Sequence, residues 1–397
     1  MACPLQSARR VSCRLISLVV VVAVSSASAG PDARIHLGAI LQYDGRFFID
    51  NAADPHVDQF AFRSTRVDLA ATLYDHYDVK FVPDFAGSKV VVQDAYFDVR
   101  YTDVFRLRFG KMKVPFGLER LQDERNTTFT ERGFPTLLAP NRDLGVEAFG
   151  ELACGVIAYQ LGIFNGVADG GSSDGDVSDD KDGAARLFVR PFAHGPGFVK
   201  ELGFGGAVTY GEQHGHLASP DVGAYHTAAQ TTFFQLASGS DTAFADGRHW
   251  RATAQGYWYT GPFGVLGESV RSQQHVVLGT RHDLVEAEAW QVLGQWVITG
   301  EQASYKSVTP AHPYGAFDVA ARVTEIRIVD PGTFDRGFAD ATMSARRAWS
   351  AGLGTDWFAN RSVRFMLDAD RTWFTRGAKL GDRPSETSII GRAQLAF

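Results

Sequence analysis

Cysteine is nearly absent: the 397 residues hold three, and two of these, Cys3 and Cys13, lie close to the N-terminus. Cys154 is left without an intramolecular partner, so a disulfide framework is excluded and stability has to come from elsewhere. Long apolar runs are equally scarce. The longest, Leu15 to Val24, is ten residues, well short of the roughly twenty that a membrane-spanning helix requires. Positive charge is also in deficit, with 39 Lys+Arg against 45 Asp+Glu and a net charge of −6, which excludes a general polyanion or nucleic-acid binder. No G-x-S-x-G, P-loop or dinucleotide fingerprint occurs, no nucleophile and base stand out as a pair, and no cofactor is expected.

What the chain does have is 41 Gly, 29 Phe, 12 Tyr and 7 Trp, a composition suited to many short strands that are apolar on one side. At the N-terminus, Arg9, Arg10 and Arg14 precede the apolar run, and Ala27-Ser28-Ala29 follows it. This is the pattern of a secretory signal, with cleavage expected before Gly30. The reading divides the chain into a signal peptide at 1–29 and one barrel domain at 30–397. Its removal takes away three bases and no acids, leaving a mature net charge of −9.

Period-2 alternation predicts strands at 35–49, 60–74, 77–86, 89–101, 104–112, 142–151, 155–164, 184–191, 200–211, 249–260, 263–276, 285–299, 317–329, 344–358, 361–376 and 386–397. Sixteen strands of about ten residues, all apolar on one face, predict a transmembrane antiparallel β-barrel. The connections alternate in length. Tight ones are expected at Asp75-His76, Thr102-Asp103, Leu152 to Cys154, Gly261-Pro262 and Ala359-Asn360, and long ones at 50–59, 113–141, 165–183, 212–248 and 330–343. Short turns on one side and long loops on the other define the two ends of an outer-membrane barrel. Aromatics flank the tight turns, at Tyr74, Tyr77, Tyr101, Phe105, Trp258, Phe263, Trp357 and Phe358, and are read as an interfacial girdle.

Within the fifth strand, Phe105, Leu107 and Phe109 alternate with Arg106 and Arg108. A loop follows, from Lys111-Met112-Lys113-Val114-Pro115-Phe116-Gly117 through Arg132 to Asn141-Arg142-Asp143-Leu144-Gly145-Val146. In order and spacing this stretch resembles the phosphate-selective porin O and P family. The resemblance implies a sixteen-stranded porin, a homotrimer in outer-membrane lipid, whose long third loop folds into the lumen and narrows it. It also implies an inward-folded turn after Thr299-Gly300-Glu301, which here carries Lys306, and it makes the final strand, ending at Phe397, an assembly signal.

If alternating apolar residues face lipid, their neighbours line the lumen. Parity places Arg66, Lys80, Arg100, Arg106, Arg108, Arg186, Arg190, Arg322 and Arg364 inward, against Asp68, Asp78, Asp94, Asp98, Glu147, Asp318, Asp356 and Asp368. The wall is nearly balanced, so the inserted loop has to tip it: between Lys111 and Arg142 it carries Lys111, Lys113, Arg120, Arg125, Arg132 and Arg142 against Glu119, Asp123, Glu124 and Glu131. Arg66, Lys80, Arg106, Arg108, Lys111, Lys113, Arg120, Arg125, Arg132 and Lys306 are therefore the candidate pore-lining, anion-binding residues. The expected partners are small inorganic or organic anions, phosphate or polyphosphate among them. The competing class is a barrel with a plugged lumen acting as a binding protein or enzyme. The acidic run Asp174 to Asp182 lacks the glycine of a calcium loop, and His214 with His216 has no evident third metal ligand.

Overall fold

The computed structural model describes residues 32–49, 57–176, 178–239, 241–340, 344–376 and 383–397. The expected signal peptide and its cleavage point lie outside these residues. Eighteen strands follow one another: β1 (Ala33–Phe48), β2 (Gln59–Leu73), β3 (Tyr77–Asp84), β4 (Val91–Arg100), β5 (Arg106–Lys113), β6 (Arg142–Leu152), β7 (Ile157–Phe164), β8 (Asp182–Val189), β9 (Glu201–His214), β10 (Tyr225–His226), β11 (Thr232–Phe234), β12 (Phe244–Thr260), β13 (Phe263–Leu278), β14 (Arg281–Val297), β15 (Ala316–Ile328), β16 (Arg347–Phe358), β17 (Val363–Thr375) and β18 (Glu386–Ala396). Sixteen of them close a single antiparallel barrel, and β10 with β11 forms a small hairpin inside one loop.

Alternation explains why these segments sit as they do. Along β17, Arg364, Met366, Asp368, Asp370, Thr372 and Phe374 are buried while Phe365 and Leu367 are exposed. The second set meets hydrocarbon, where unpaired backbone groups are costly, so the sheet has to close on itself. It closes between β1 and β18, in register from Ile40 opposite Ala396 to Phe48 opposite Ser388.

The tight connections fall where expected, and Trp258, Phe263, Trp296, Phe317, Trp357 and Phe365 form an outward girdle beside them. The Trp357 ring stacks between Phe317 and Phe365 at centroid distances of 6.0 and 5.4 Å, and its Nε1 donates to the Tyr314 carbonyl at 2.9 Å. Phe358 departs from the girdle: it is 4% exposed and faces the lumen, with the Arg364 guanidinium 4.5 Å from its ring centroid.

Two further expectations are corrected. The loop expected at 212–248 is shorter, because β9 continues to His214 and β12 begins at Phe244. Outward Glu212 pairs in register with Arg248 there, so the hairpin rises beyond the apolar band where hydrophobic alternation no longer marks it. The inner wall is also not uniformly hydrated. Val270, Val276, Ala287, Ala289, Ile326, Ile328, Ala348 and Phe374 point into the lumen and pack with Phe134, Phe233, Phe234 and Phe338 from the inserted loops. One side of the barrel is thus filled by a hydrophobic core of the kind found in soluble domains.

The closing seam ends with the Ala39 N–H donating to the Phe397 carbonyl and the Phe397 N–H donating to Ala39, both at 3.1 Å. Deleting Phe397 removes these bonds and an outward aromatic, and the yield of heat-modifiable, folded barrel is expected to fall severalfold. A normal yield on unheated gels would contradict this.

Candidate functional site

The loop between β5 and β6, residues 114–141, turns into the barrel because its apolar side chains have a place to bury there. Phe116, Leu118, Phe129 and Leu138 are at most 1% exposed, in a segment whose regular structure is limited to the short helices α1 (Leu118–Leu121) and α2 (Pro135–Leu138) and one 3-10 turn at Glu124–Asn126. The Phe129 ring packs with Leu293 and Ala320, and the Arg322 guanidinium lies 4.2 Å from its centroid. Wall side chains then satisfy loop backbone groups. The Leu118 N–H donates to Glu268 at 2.6 Å, the Thr130 N–H to Asp368 at 2.6 Å and the Phe134 N–H to Thr324 Oγ1 at 3.1 Å. Gln291 bridges Glu119 and Glu268 at 2.8 and 3.0 Å. From the other end, the turn after β14 folds inward: the Tyr305 hydroxyl donates to the Leu118 carbonyl at 2.6 Å, and Gln122 donates to the Tyr305 carbonyl at 2.7 Å.

At the loop tip, the Glu131 carboxylate is held by Arg63 at 2.6 and 3.1 Å and by Arg46 at 3.2 Å, with Arg392 at 3.6 Å. Burial pushes this carboxyl up, but Arg63, Arg392 and Arg46 outweigh it and hold the group below the ordinary carboxylate range. Glu124 behaves alike, with Arg66, Arg63 and Arg132 overcoming burial.

The loop's apolar contacts lie mostly on the β13–β18 side, and its charged side chains look towards β2 to β7. A chamber of about 230 Å³ lies there, lined by Arg66, Lys80, Arg108, Lys113, Arg125 and Arg142 and by Asp68, Asp94, Asp123 and Glu124. Ion pairs cross it: Lys80 to Asp68 at 3.0 Å, Arg142 to Asp94 at 3.0 Å, and Arg125 to Asp123 at 3.0 Å and to Asp68 at 3.6 Å. Just beyond, Arg108 forks onto Asp98 at 2.7 and 2.8 Å and lies 4.0 Å from the Tyr96 ring centroid. Arg108 and Lys113 both reach the chamber although five residue steps, an odd number, separate them, which an unbroken strand forbids. Between them lies Gly110, whose φ is +124°.

Of the ten residues singled out from the sequence, Arg66, Lys80, Arg108, Lys113 and Arg125 border this chamber. The other five lie elsewhere. Lys111 is 4% exposed and ion-paired with Asp174 of the next loop. Arg106 pairs with Asp103 at the tight turn. Arg120 donates to the Thr136 carbonyl, Arg132 donates to the Glu119 and Gln122 carbonyls at 2.9 and 3.1 Å, and Lys306 is exposed on the inward turn. Arg46 and Arg392, which alternation could have found, and Arg63, which it could not, are the positions the sequence reading missed. Arg63 is skipped in the β1–β2 register at a bulge beside Tyr43, so Arg63 and Ser64 both turn inward. The acidic loop run is engaged internally, through Asp176 with Lys181 at 2.7 Å and Asp180 with His214 at 2.6 Å.

A family model described as phosphate-selective porin O and P matches residues 35–397. Among solved structures, the chain is similar to the outer membrane channel DcaP of Acinetobacter baumannii, at 12% identity and TM-score 0.63, over 92% of this chain and 98% of that one. It is similar to the trimer form of the Vibrio cholerae outer membrane protein OmpT, at 13% identity and TM-score 0.54, over 92% and 100%. Salmonella typhi OmpF aligns at 8% identity and TM-score 0.56, over 92% and 98%. No curated protein matches the chain in sequence.

Gly110 offers a direct check on how the chamber is built. A Cβ there would stand 2.2 Å from the Ala95 carbonyl oxygen on a backbone that only glycine adopts readily. Gly110→Ala is expected to destabilise the barrel by about 2–4 kcal/mol and to lower the urea midpoint of unfolding. Gly294→Ala, with no atom within 4 Å of the added Cβ, should leave the midpoint unchanged.

Proposed function

Because the chain belongs to the phosphate-selective porin O and P family, it is an outer-membrane channel for small solutes, and we propose that its passage favours anions, phosphate and polyphosphate among them. The observation that carries this is the charge of the chamber, six bases to four acids. Charges lining a narrow passage act on a permeating ion more strongly than the same charges on an open wall. Four of the six bases are arginines, whose planar forks match phosphate and carboxylate oxygens. Every one of the six is already engaged by a carboxylate or a carbonyl, so the bias is modest and the passage conducts rather than traps. A barrel acting as a binding protein or enzyme would instead hold its ligand and show no steady current.

The same reading includes export directed by residues 1–29 and assembly as a homotrimer. The basic and apolar N-terminal pattern supports the first, and family membership together with the trimer form of a similar barrel supports the second.

Lys80 and Arg125 are the bases to test, since both border the chamber, their side chains are 29% exposed, and neither belongs to the buried cluster around Glu131. Replacing both with Glu changes the local charge by four units. At about 1 kcal/mol per unit at ~4 Å in a water-like dielectric, each unit alters relative ion occupancy by about fivefold, less where salt screens it. The zero-current potential in a salt gradient is expected to indicate anion preference for the wild type and to move towards cation preference in the Lys80→Glu, Arg125→Glu protein. A cation-selective wild type, or an unmoved potential in a conducting double variant, would overturn the assignment.

A further inference from the structure

The outward face of the barrel turns charged towards the long-loop end of four adjacent strands. On β14 the outward series Trp296, Gly294, Val292, Trp290 passes into Glu288 and Glu286, and on β16 the series Trp357, Thr355, Leu353, Ala351, Trp349 passes into Arg347. Arg271 ends the corresponding series on β13, and Glu325 and Arg327 end it on β15. Register sets Arg271 opposite Glu288, Glu288 opposite Arg327 and Arg327 opposite Arg347, so they form one transverse row. The side chains of Arg271, Arg327 and Arg347 are 48%, 55% and 50% exposed.

Height places the row. Ten residue steps separate Arg347 from the girdle residue Trp357; at ~3.3 Å per residue and a strand tilt of about 40°, this is about 25 Å, the height of the apolar band. The arginines therefore emerge in the headgroup layer of the outer leaflet, directly above the stacked Trp349 and Trp373 rings, 4.1 Å apart. On β1 and β2, outward positions near the same end are Tyr43, Phe47, Phe60 and Phe62. The charged arc is a local feature of one side of the barrel.

Its internal pairing is lopsided. Arg327 is held by Glu288 at 2.7 Å from its β14 side, and Arg347 by Glu325 at 2.7 Å, yet Arg327 and Arg347 stand directly opposite each other with no carboxylate between them. Like charges directly across a strand pair repel. An anion seated between the two guanidiniums relieves that repulsion and takes N–H donors that, among the described residues, have no protein partner.

We propose that Arg327 and Arg347, with Arg271 beside them, dock a phosphate-bearing headgroup of an outer-leaflet glycolipid. Charge complementarity identifies the occupant. The donors face outward at headgroup height, the carboxylates behind them fix their orientation, and the indoles below receive the first carbons of the acyl chains.

The test uses the full folded barrel in detergent, titrated with lipopolysaccharide and with its enzymatically dephosphorylated counterpart. The Arg327→Ala, Arg347→Ala double variant is expected to bind lipopolysaccharide about tenfold more weakly, the loss of about 1.4 kcal/mol. Wild-type protein should bind the dephosphorylated form no better than the variant binds the intact one. Single-channel conductance should be unchanged, because both side chains lie outside the lumen. Should the double variant fail to fold, Arg327→Gln and Arg347→Gln singly carry the same comparison. Equal affinity of wild type and variant would overturn the proposal, as would equal binding of the dephosphorylated lipid. Full displacement of the lipid by millimolar inorganic phosphate would reassign the row as a site for free anions and would likewise overturn it.

Discussion

The carboxylate of Glu131 is the point on which the channel's interior depends. It meets Arg46 of β1, Arg63 of β2 and Arg392 of β18, the three neighbouring strands that include the closing seam. Around it, Arg392 donates to the Thr130 carbonyl at 2.7 Å and Arg322 to the Glu131 carbonyl at 2.6 Å. Four wall arginines thus converge on two loop residues. Removing one member of a buried ionic cluster is far more damaging than its net contribution suggests, because the remaining charges are left uncompensated. The pH dependence follows from the lowered pKa of Glu131: its stabilisation is present above the ordinary carboxylate pKa and is lost only as pH falls through the lower folded value. At neutral pH the loop is held.

That attachment decides where solutes pass. The loop's phenylalanines join the apolar lining on the β13–β17 side, and the charged chamber lies on the β2–β7 side. The fill comes from three places in the sequence, Phe116, Phe134 and Leu138, then Tyr225, Phe233, Phe234 and Leu236, then Phe338, Ala339 and Ala345, which meet in one cluster. The chamber is small and heavily ion-paired. Its charges are preorganised by neighbours, Arg108 by Asp98 and Arg66 by Asp84 among them, so the field it offers is far weaker than that of six free bases.

Much of this was legible in the sequence, and the parts that were not share a cause. Alternation located the sixteen barrel strands and the tight turns, because one face has to be apolar towards lipid along every strand. The family resemblance, not alternation, sets Lys111 and Lys113 side by side; Lys113 borders the chamber, while Lys111 pairs with Asp174. Alternation missed Arg63, which a bulge turns inward out of sequence parity. It also treated inward residues as water-lined, whereas Ile326, Ile328 and Phe374 face other parts of the same chain. Such long-range packing leaves no local periodic signal, and neither does the inward turn of Phe358.

The Glu131 cluster holds the loop across the lumen and thereby sets the width of the passage. Single-channel conductance of Glu131→Gln in planar bilayers tests it most directly, since the substitution keeps the side chain's shape and removes its charge. A larger conductance than wild type, with added open-channel flicker as the loop leaves the wall, is the predicted result. A folded Glu131→Gln channel with wild-type conductance and wild-type noise would contradict the account.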